Sequence, residues 1–209
     1  MEPVQHTHAE KELAYVQIFF IFIFPIALLI FGVIPVSWRM LVLCSSTLLI
    51  YAIIAHEKMS DAMCGISRKN LLQNIFAYSI FTLLGIGALE FLANLWNLDG
   101  VNVWYQSPHL LFLFLPVSLL QEIAYRGFLF PKLAIITRKK WVLILLNTIL
   151  FTLIHAIYPR PEVMVPFAFV SGLAFAIMYD RYPNLILISI AHSVLNFYAI
   201  LHGFFYFTK

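Results

Sequence analysis

Residues 109–133 read HLLFLFLPVSLLQEIAYRGFLFPKL. The stretch is long and apolar enough to cross a bilayer, which takes about 20 mostly apolar residues. Yet Glu122 and Arg126 lie in its middle. A charge at the bilayer centre costs about 2.5–3.5 kcal/mol on insertion scales, so ionisable groups there are functional candidates by default.

Two further polar patterns interrupt apolar stretches downstream: Phe151 to His155 (FTLIH) and His192 to Asn196 (HSVLN). Together the three supply a carboxylate, two imidazoles and an amide. Those groups can activate a water and stabilise an oxyanion.

Composition agrees with a membrane protein. Of 209 residues, 62% are hydrophobic and 11% charged, and mean hydropathy is +0.90. Soluble domains carry about 25% charged residues, so most of this surface faces lipid. A net charge of +3 is too small to suggest a nucleic-acid partner, and the basic residues cluster at helix ends. Cys44 and Cys64 read as free thiols, one in an apolar span and one in a polar loop. Residues 1–13 form a polar tail without the short apolar core of a cleaved signal peptide. His6 and His8 within it have nothing to fix a metal-binding geometry, so the tail reads as disordered.

Seven spans are expected: Ala14–Ile34, Trp38–Ala55, Leu71–Trp96, His109–Leu133, Trp141–Tyr158, Val165–Tyr179 and Leu185–Tyr206. The sixth is short, and its Ser171-Gly172 suits a close-packed interior helix. Met59, Met63, Ile66 and Leu71 have near-helical spacing, so an interfacial helix within Glu57–Asn74 would make an eighth element. Pro25 and Pro116 fall inside spans and predict kinks. The expected fold is an all-α polytopic bundle forming one membrane domain over residues 1–209.

Orientation follows from the basic residues. Lys11, Lys58, Arg68, Lys69, Lys132, Arg138, Lys139, Lys140 and Arg181 fall on the amino-terminal side; Arg39, Arg160 and Lys209 fall on the other. Positive loops stay cytoplasmic. The amino terminus is therefore expected inside the cell membrane and the carboxyl terminus outside, with the loop 97–108 facing outward.

Residues four apart share a helix face. Glu122 thus neighbours Arg126, and His192 neighbours Asn196. Gln121 and Tyr125 form another pair, turned about 100° from the first. Taken alone, Glu122 and Arg126 read as a structural ion pair, since buried ions usually pair. His155 alone reads as a satisfied or interfacial histidine. His192 with Asn196 alone reads as an interhelical hydrogen-bond pair, worth about 0.6 kcal/mol on average. Their co-occurrence on three of the last four spans favours chemistry. Glu90, in LGIGALEFLANL, has no partner in its own helix and is expected near the outer surface or paired with a basic residue elsewhere.

In order and spacing, QEIAYRG, FTLIH and HSVLN resemble the CPBP family, the type II CAAX prenyl proteases and their bacterial relatives, also called the Abi family. The resemblance covers about residues 110–196 and places a catalytic core inside the last four spans. It implies an intramembrane glutamic-type endopeptidase acting on a membrane-tethered peptide or protein: a CAAX end, a bacteriocin leader or a sorting anchor. His155, with the first Glu of an acidic pair, would activate the water. His192 and Asn196 would bind the oxyanion. Glu122, matching the second Glu, would pair with Arg126 and hold the helix, with Tyr125 as support. No cofactor is expected. If a metal such as zinc were used, Glu122, His155 and His192 would hold it, although no H-E-x-x-H spacing occurs.

The chain departs from the pattern at Gln121, where the first Glu is expected. An amide cannot accept a proton at neutral pH and cannot be a general base. Three explanations compete: an engineered inactive variant, ranked first because the change is isosteric and the other positions are intact; a natural member in which Glu122 takes over; and a pseudoenzyme. A second tension concerns depth. At 1.5 Å per residue, Gln121 lies roughly 18 Å from the outer start of its helix and His155 roughly 21 Å from the inner start of the next, a mismatch of roughly 10 Å. Two other functions stay open: a catalytically silent binding, immunity or scaffold protein, and a proton-coupled transporter. The lack of repeats argues against transport.

Overall fold

The computed structural model describes residues 6–98, 100, 108–158 and 160–204. Seven helical rods succeed one another, with no strand among the described residues. They are α1 (His8–Ile30), α2 (Val36–His56), α3 (Arg68–Leu95), α4 (108–136), α5 (Lys140–Ile157), α6 (Pro161–Arg181) and α7 (Leu185–Leu201). Among the described residues, five helices are long and apolar enough to cross a membrane. Phe20, Leu48, Leu72, Phe76, Leu83 and Val170 stand exposed on their outer faces. Water does not tolerate apolar surface on that scale, so lipid covers it.

Several ends differ from expectation, each for a local reason. α1 begins at His8, so the second half of the polar tail is helical. Thr7 and Glu10 form a capping box that satisfies the free amides there. His6 and His8 pair along the helix with Glu10 and Glu12, at 3.5 and 3.2 Å. α6 is a full-length rod rather than a short one, because it starts at Pro161, where a missing amide costs nothing. α7 stops at Leu201: Gly203 takes a left-handed φ of 75°, and Phe204 N–H bonds back to the Ala199 carbonyl at 3.0 Å. The interfacial helix within 57–74 does not form as an eighth element. Residues 57–67 turn repeatedly, and helix resumes only at Arg68. The loop at 97–108 lies mostly outside the described residues.

Prolines shape α1 and α4 alike. A π-helical turn, Phe19–Ile23, precedes Pro25, and another, Ile123–Leu129, precedes Pro131. A proline cannot donate to the carbonyl four residues back, and a widened turn accommodates that loss. Within the second such turn, the Tyr125 carbonyl accepts instead from Asn147 Nδ2 at 2.7 Å. Pro116 is carried within a continuous helix, Pro108–Glu122.

The core has two main parts. Ile18, Phe22 and Ile50 of α1 and α2 close on Tyr125, Phe128 and Phe151 of α4 and α5. Tyr78 of α3 closes on Phe175, Tyr179 and Ile188 of α6 and α7. α4 stands between them, packed along α7 on one side and against α1 and α2 on the other. Its two faces therefore meet different surroundings.

Candidate active site

Glu122 and Arg126 lie side by side on α4, both fully buried, with Arg126 Nη1 donating to Glu122 Oε1 at 3.0 Å. Arg126 is held from the far side as well: Nη2 donates to the Gly172 carbonyl at 3.3 Å, and the guanidinium lies 4.8 Å from the Phe151 ring centroid. Gly172 is required by this approach, because a Cβ there would stand 2.7 Å from Phe151 Cδ1. The small-residue pair Ser171-Gly172 thus marks a close contact between α5 and α6.

The same carboxylate oxygen has a second partner. His192 Nδ1 lies 2.6 Å from Glu122 Oε1. An ionised carboxylate only accepts, so Nδ1 carries the hydrogen and Nε2 is left as the basic nitrogen. His155 is fixed in the same sense: its Nδ1 donates to the Phe151 carbonyl at 2.9 Å. Phe151 is the common platform, with ring centroids 4.8 Å from His155 and 5.8 Å from His192. Phe175 backs His192 at 4.7 Å. Glu122 Oε2, by contrast, has no hydrogen-bond partner.

His155, His192 and Asn196 line one cavity of about 660 Å³. Its walls come from α3, α6 and α7, including Phe81, Leu84, Pro166 and Phe167. Such a volume holds an extended apolar peptide segment or a comparable chain. Asn196 Nδ2 donates to Ser118 Oγ at 3.2 Å, which orients the amide. Ser118 is fully buried and lies one turn before Glu122. Sequence reasoning missed it, although a lone hydroxyl at i−4 from a buried acid is a legible pattern.

Gln121 does not join this group. It lines a different cavity, of about 80 Å³, between α1, α2, α4 and α5, together with Tyr125, Ile154, Ile157 and Tyr158. Gln121 shares that cavity with Ile154 and Ile157, which belong to the turn that carries His155. Tyr125 is a packing residue in part, its ring 5.3 Å from Phe22 and edge-on to Phe151 at 5.2 Å.

Glu90 is half-exposed and does have a partner in its own helix, Asn94 Nδ2 at 3.2 Å. Tyr198 Oη also donates to it at 2.7 Å, and His202 Nε2 lies 3.3 Å away. Among the described residues, no three or more His, Cys, Asp or Glu side chains are grouped to hold a metal ion. Within the Glu122, His155 and His192 group, Glu122 Oε1 is shared between Arg126 and His192.

Acid–base groups gathered inside an apolar helical bundle define a class, the polytopic membrane proteins with a buried polar site. The family is narrower. Residues 103–198 match the family described as type II CAAX prenyl endopeptidase Rce1-like, and this match over α4 to α7 is consistent with the CPBP/CAAX protease family. Residues 1–102 lie outside the match. No curated protein and no solved structure matches the chain.

Proposed function

We propose that the chain is an active intramembrane endopeptidase that hydrolyses a peptide bond in a membrane-tethered peptide or protein, and that Glu122 acts through His192. The observation that carries this reading is the 2.6 Å contact between Glu122 and His192 at the wall of the cavity shared with His155 and Asn196. A carboxylate behind an imidazole holds its tautomer and stabilises the imidazolium that forms on proton transfer. His192 Nε2 takes a proton from water as the oxygen attacks the peptide carbonyl, then returns it to the leaving nitrogen. His155 Nε2 accepts the water's second hydrogen bond. The Asn196 amide, turned by Ser118, donates to the developing oxyanion. No metal or cofactor is needed.

The substrate enters the bundle as an extended, mostly apolar segment, in keeping with the cavity's walls. CAAX-type, bacteriocin-type and sorting-type substrates all meet that description. The amino terminus faces the cytoplasm in this reading, as the basic loops require.

The test is cleavage of a library of membrane-tethered peptides by the full chain in liposomes. Cleavage that His192→Ala abolishes, with the protein still folded, supports the reading. A second reading, a catalytically silent binding or immunity protein, is favoured by the amide at Gln121. It gains if the chain binds library members and cleaves none of them. Chelator sensitivity of any activity would overturn the metal-free mechanism.

A further inference from the structure

The smaller cavity holds an unexplained pair of polar groups. Gln121 is 9% exposed and Tyr125 4%. Both line the cavity, and among the described residues neither the Gln121 amide nor the Tyr125 hydroxyl has a hydrogen-bond partner. Two hydrogen-bonding groups opening into one cavity, on side chains that are otherwise buried, can be satisfied together by a single occupant. The rest of the wall is apolar, with Phe22, Pro25, Leu43 and Ile157 prominent.

Arg39 lines the same cavity. It is the first residue of the regular helix in α2, next to the exposed Trp38. Trp and Arg at a span's end sit at headgroup depth. The Arg39 guanidinium lies 5.9 Å over the Tyr158 ring, and its Nη1 reaches only the Val36 carbonyl, at 3.5 Å. No carboxylate pairs with it among the described residues. Ser46, seven residues further along α2, marks the inner end, roughly 10 Å deeper at 1.5 Å per residue.

We infer that this slot binds one anionic phospholipid from the surrounding bilayer. Its phosphate sits on Arg39, and an ester carbonyl accepts from Gln121 and Tyr125. A volume of about 80 Å³ suits a lipid's linkage region and the first carbons of one chain. The remainder of the lipid lies along the exposed apolar flank of α1 and α2. A guanidinium pairs with a phosphate through charge-assisted hydrogen bonds, and the orientation read from the basic loops puts Arg39 in the outer leaflet, so the lipid is drawn from that side. The inference also gives residue 121 a reason to be an amide. A carboxylate there would repel the ester carbonyl, whereas an amide donates to it.

Native mass spectrometry of the full chain, extracted from bilayers of equal parts phosphatidylcholine and phosphatidylglycerol, tests this. One phosphatidylglycerol per chain is expected to persist in preference to phosphatidylcholine. Arg39→Gln should weaken that retention about tenfold, as loss of a charge-assisted contact does. Gln121→Leu and Tyr125→Phe should each weaken it by a smaller factor. Gln121→Glu, which keeps the side chain's size, controls for misfolding and should weaken it as well. Equal retention of both lipids, or no change in any variant, would overturn the inference and leave a slot filled by water. Competition by inorganic phosphate alone would assign the site to a free anion, and displacement by a carboxylate-ended peptide would assign it to a protein tail.

Discussion

Gln121 and Glu122 are neighbours in sequence and have opposite fates. Glu122 looks inward to α7, shares one oxygen between Arg126 and His192, and backs a histidine on the wall of the larger cavity. Gln121 looks toward α1 and α2, and among the described residues its amide has no hydrogen-bond partner. A rotation of about 100° per residue separates the two faces. One face joins charged groups that pair through a single carboxylate oxygen. The other presents neutral hydrogen-bonding groups to a slot that a cation also lines. Family likeness attaches to the pair as a motif, but the surroundings give each member its own chemistry.

The sharpest way to break this contrast is to exchange charge between the faces. Glu122→Gln should lower kcat/KM for peptide cleavage by roughly 10³–10⁴-fold, the loss found when a carboxylate behind a catalytic imidazole becomes an amide. Gln121→Glu should leave cleavage within a factor of a few. If Gln121→Glu instead raises cleavage by orders of magnitude, the acid role belongs to position 121 and the chain as it stands is an inactivated form.

Next in size is Arg126. Removing one partner of a buried pair leaves an uncompensated charge, at a cost of about 3–5 kcal/mol. Arg126→Met should therefore lower the thermal unfolding midpoint in detergent sharply, and Arg126→Met with Glu122→Leu should recover much of the loss. No such penalty is expected for Gln121→Leu on the other face. A similar midpoint loss there would mean that the Gln121 side is tied into the fold in the same manner.

Gly172→Ala probes the support of the inner face. The added Cβ would press on Phe151 Cδ1, and overpacking of this kind costs about 1–3 kcal/mol. Because Phe151 seats both imidazoles, cleavage should fall as well as stability. A milder change is Ser118→Ala, which frees the Asn196 amide. It should cost about 1 kcal/mol of transition-state stabilisation, read as a lower kcat with little change in KM, and Ser118→Thr should restore part of it.

How far the sequence already shows this follows from what sets each feature. The rods at α2, α3 and α5 were legible to within a few residues, because apolar length alone defines them. The start of α6 was not, since Pro161 reads as a break unless its amide is known to be unneeded. The start of α1 was written in Thr7 and Glu10 but obscured by the surrounding charges. Glu122 with Arg126 follows from helical spacing. The Glu122–His192 contact spans 70 positions and depends on how α4 meets α7. Helical spacing separates Gln121 from Glu122 by angle, but only the packing of α1 and α2 shows what Gln121 faces.

Outside the spans, the smallest expected effect checks whether the α1–α2–α4 side is clamped independently of the site. Glu57, just beyond α2, accepts from Gln17 Nε2 of α1 at 2.6 Å and pairs with Lys132 of α4. Partial burial by itself would raise the Glu57 carboxyl. The hydrogen bonds from Gln17 and Lys132, with the Lys132 charge, outweigh that and hold it below the ordinary glutamate range. A carboxyl that binds its proton less readily when folded adds stability at neutral pH and loses it as pH falls through the lowered value. Thermal stability of the full chain should thus decline on acidification below the usual carboxylate range, and Glu57→Gln should flatten that part of the curve. If Glu57→Gln left the acid limb unchanged, the clamp would contribute nothing, and the slot facing Gln121 would depend on apolar packing alone.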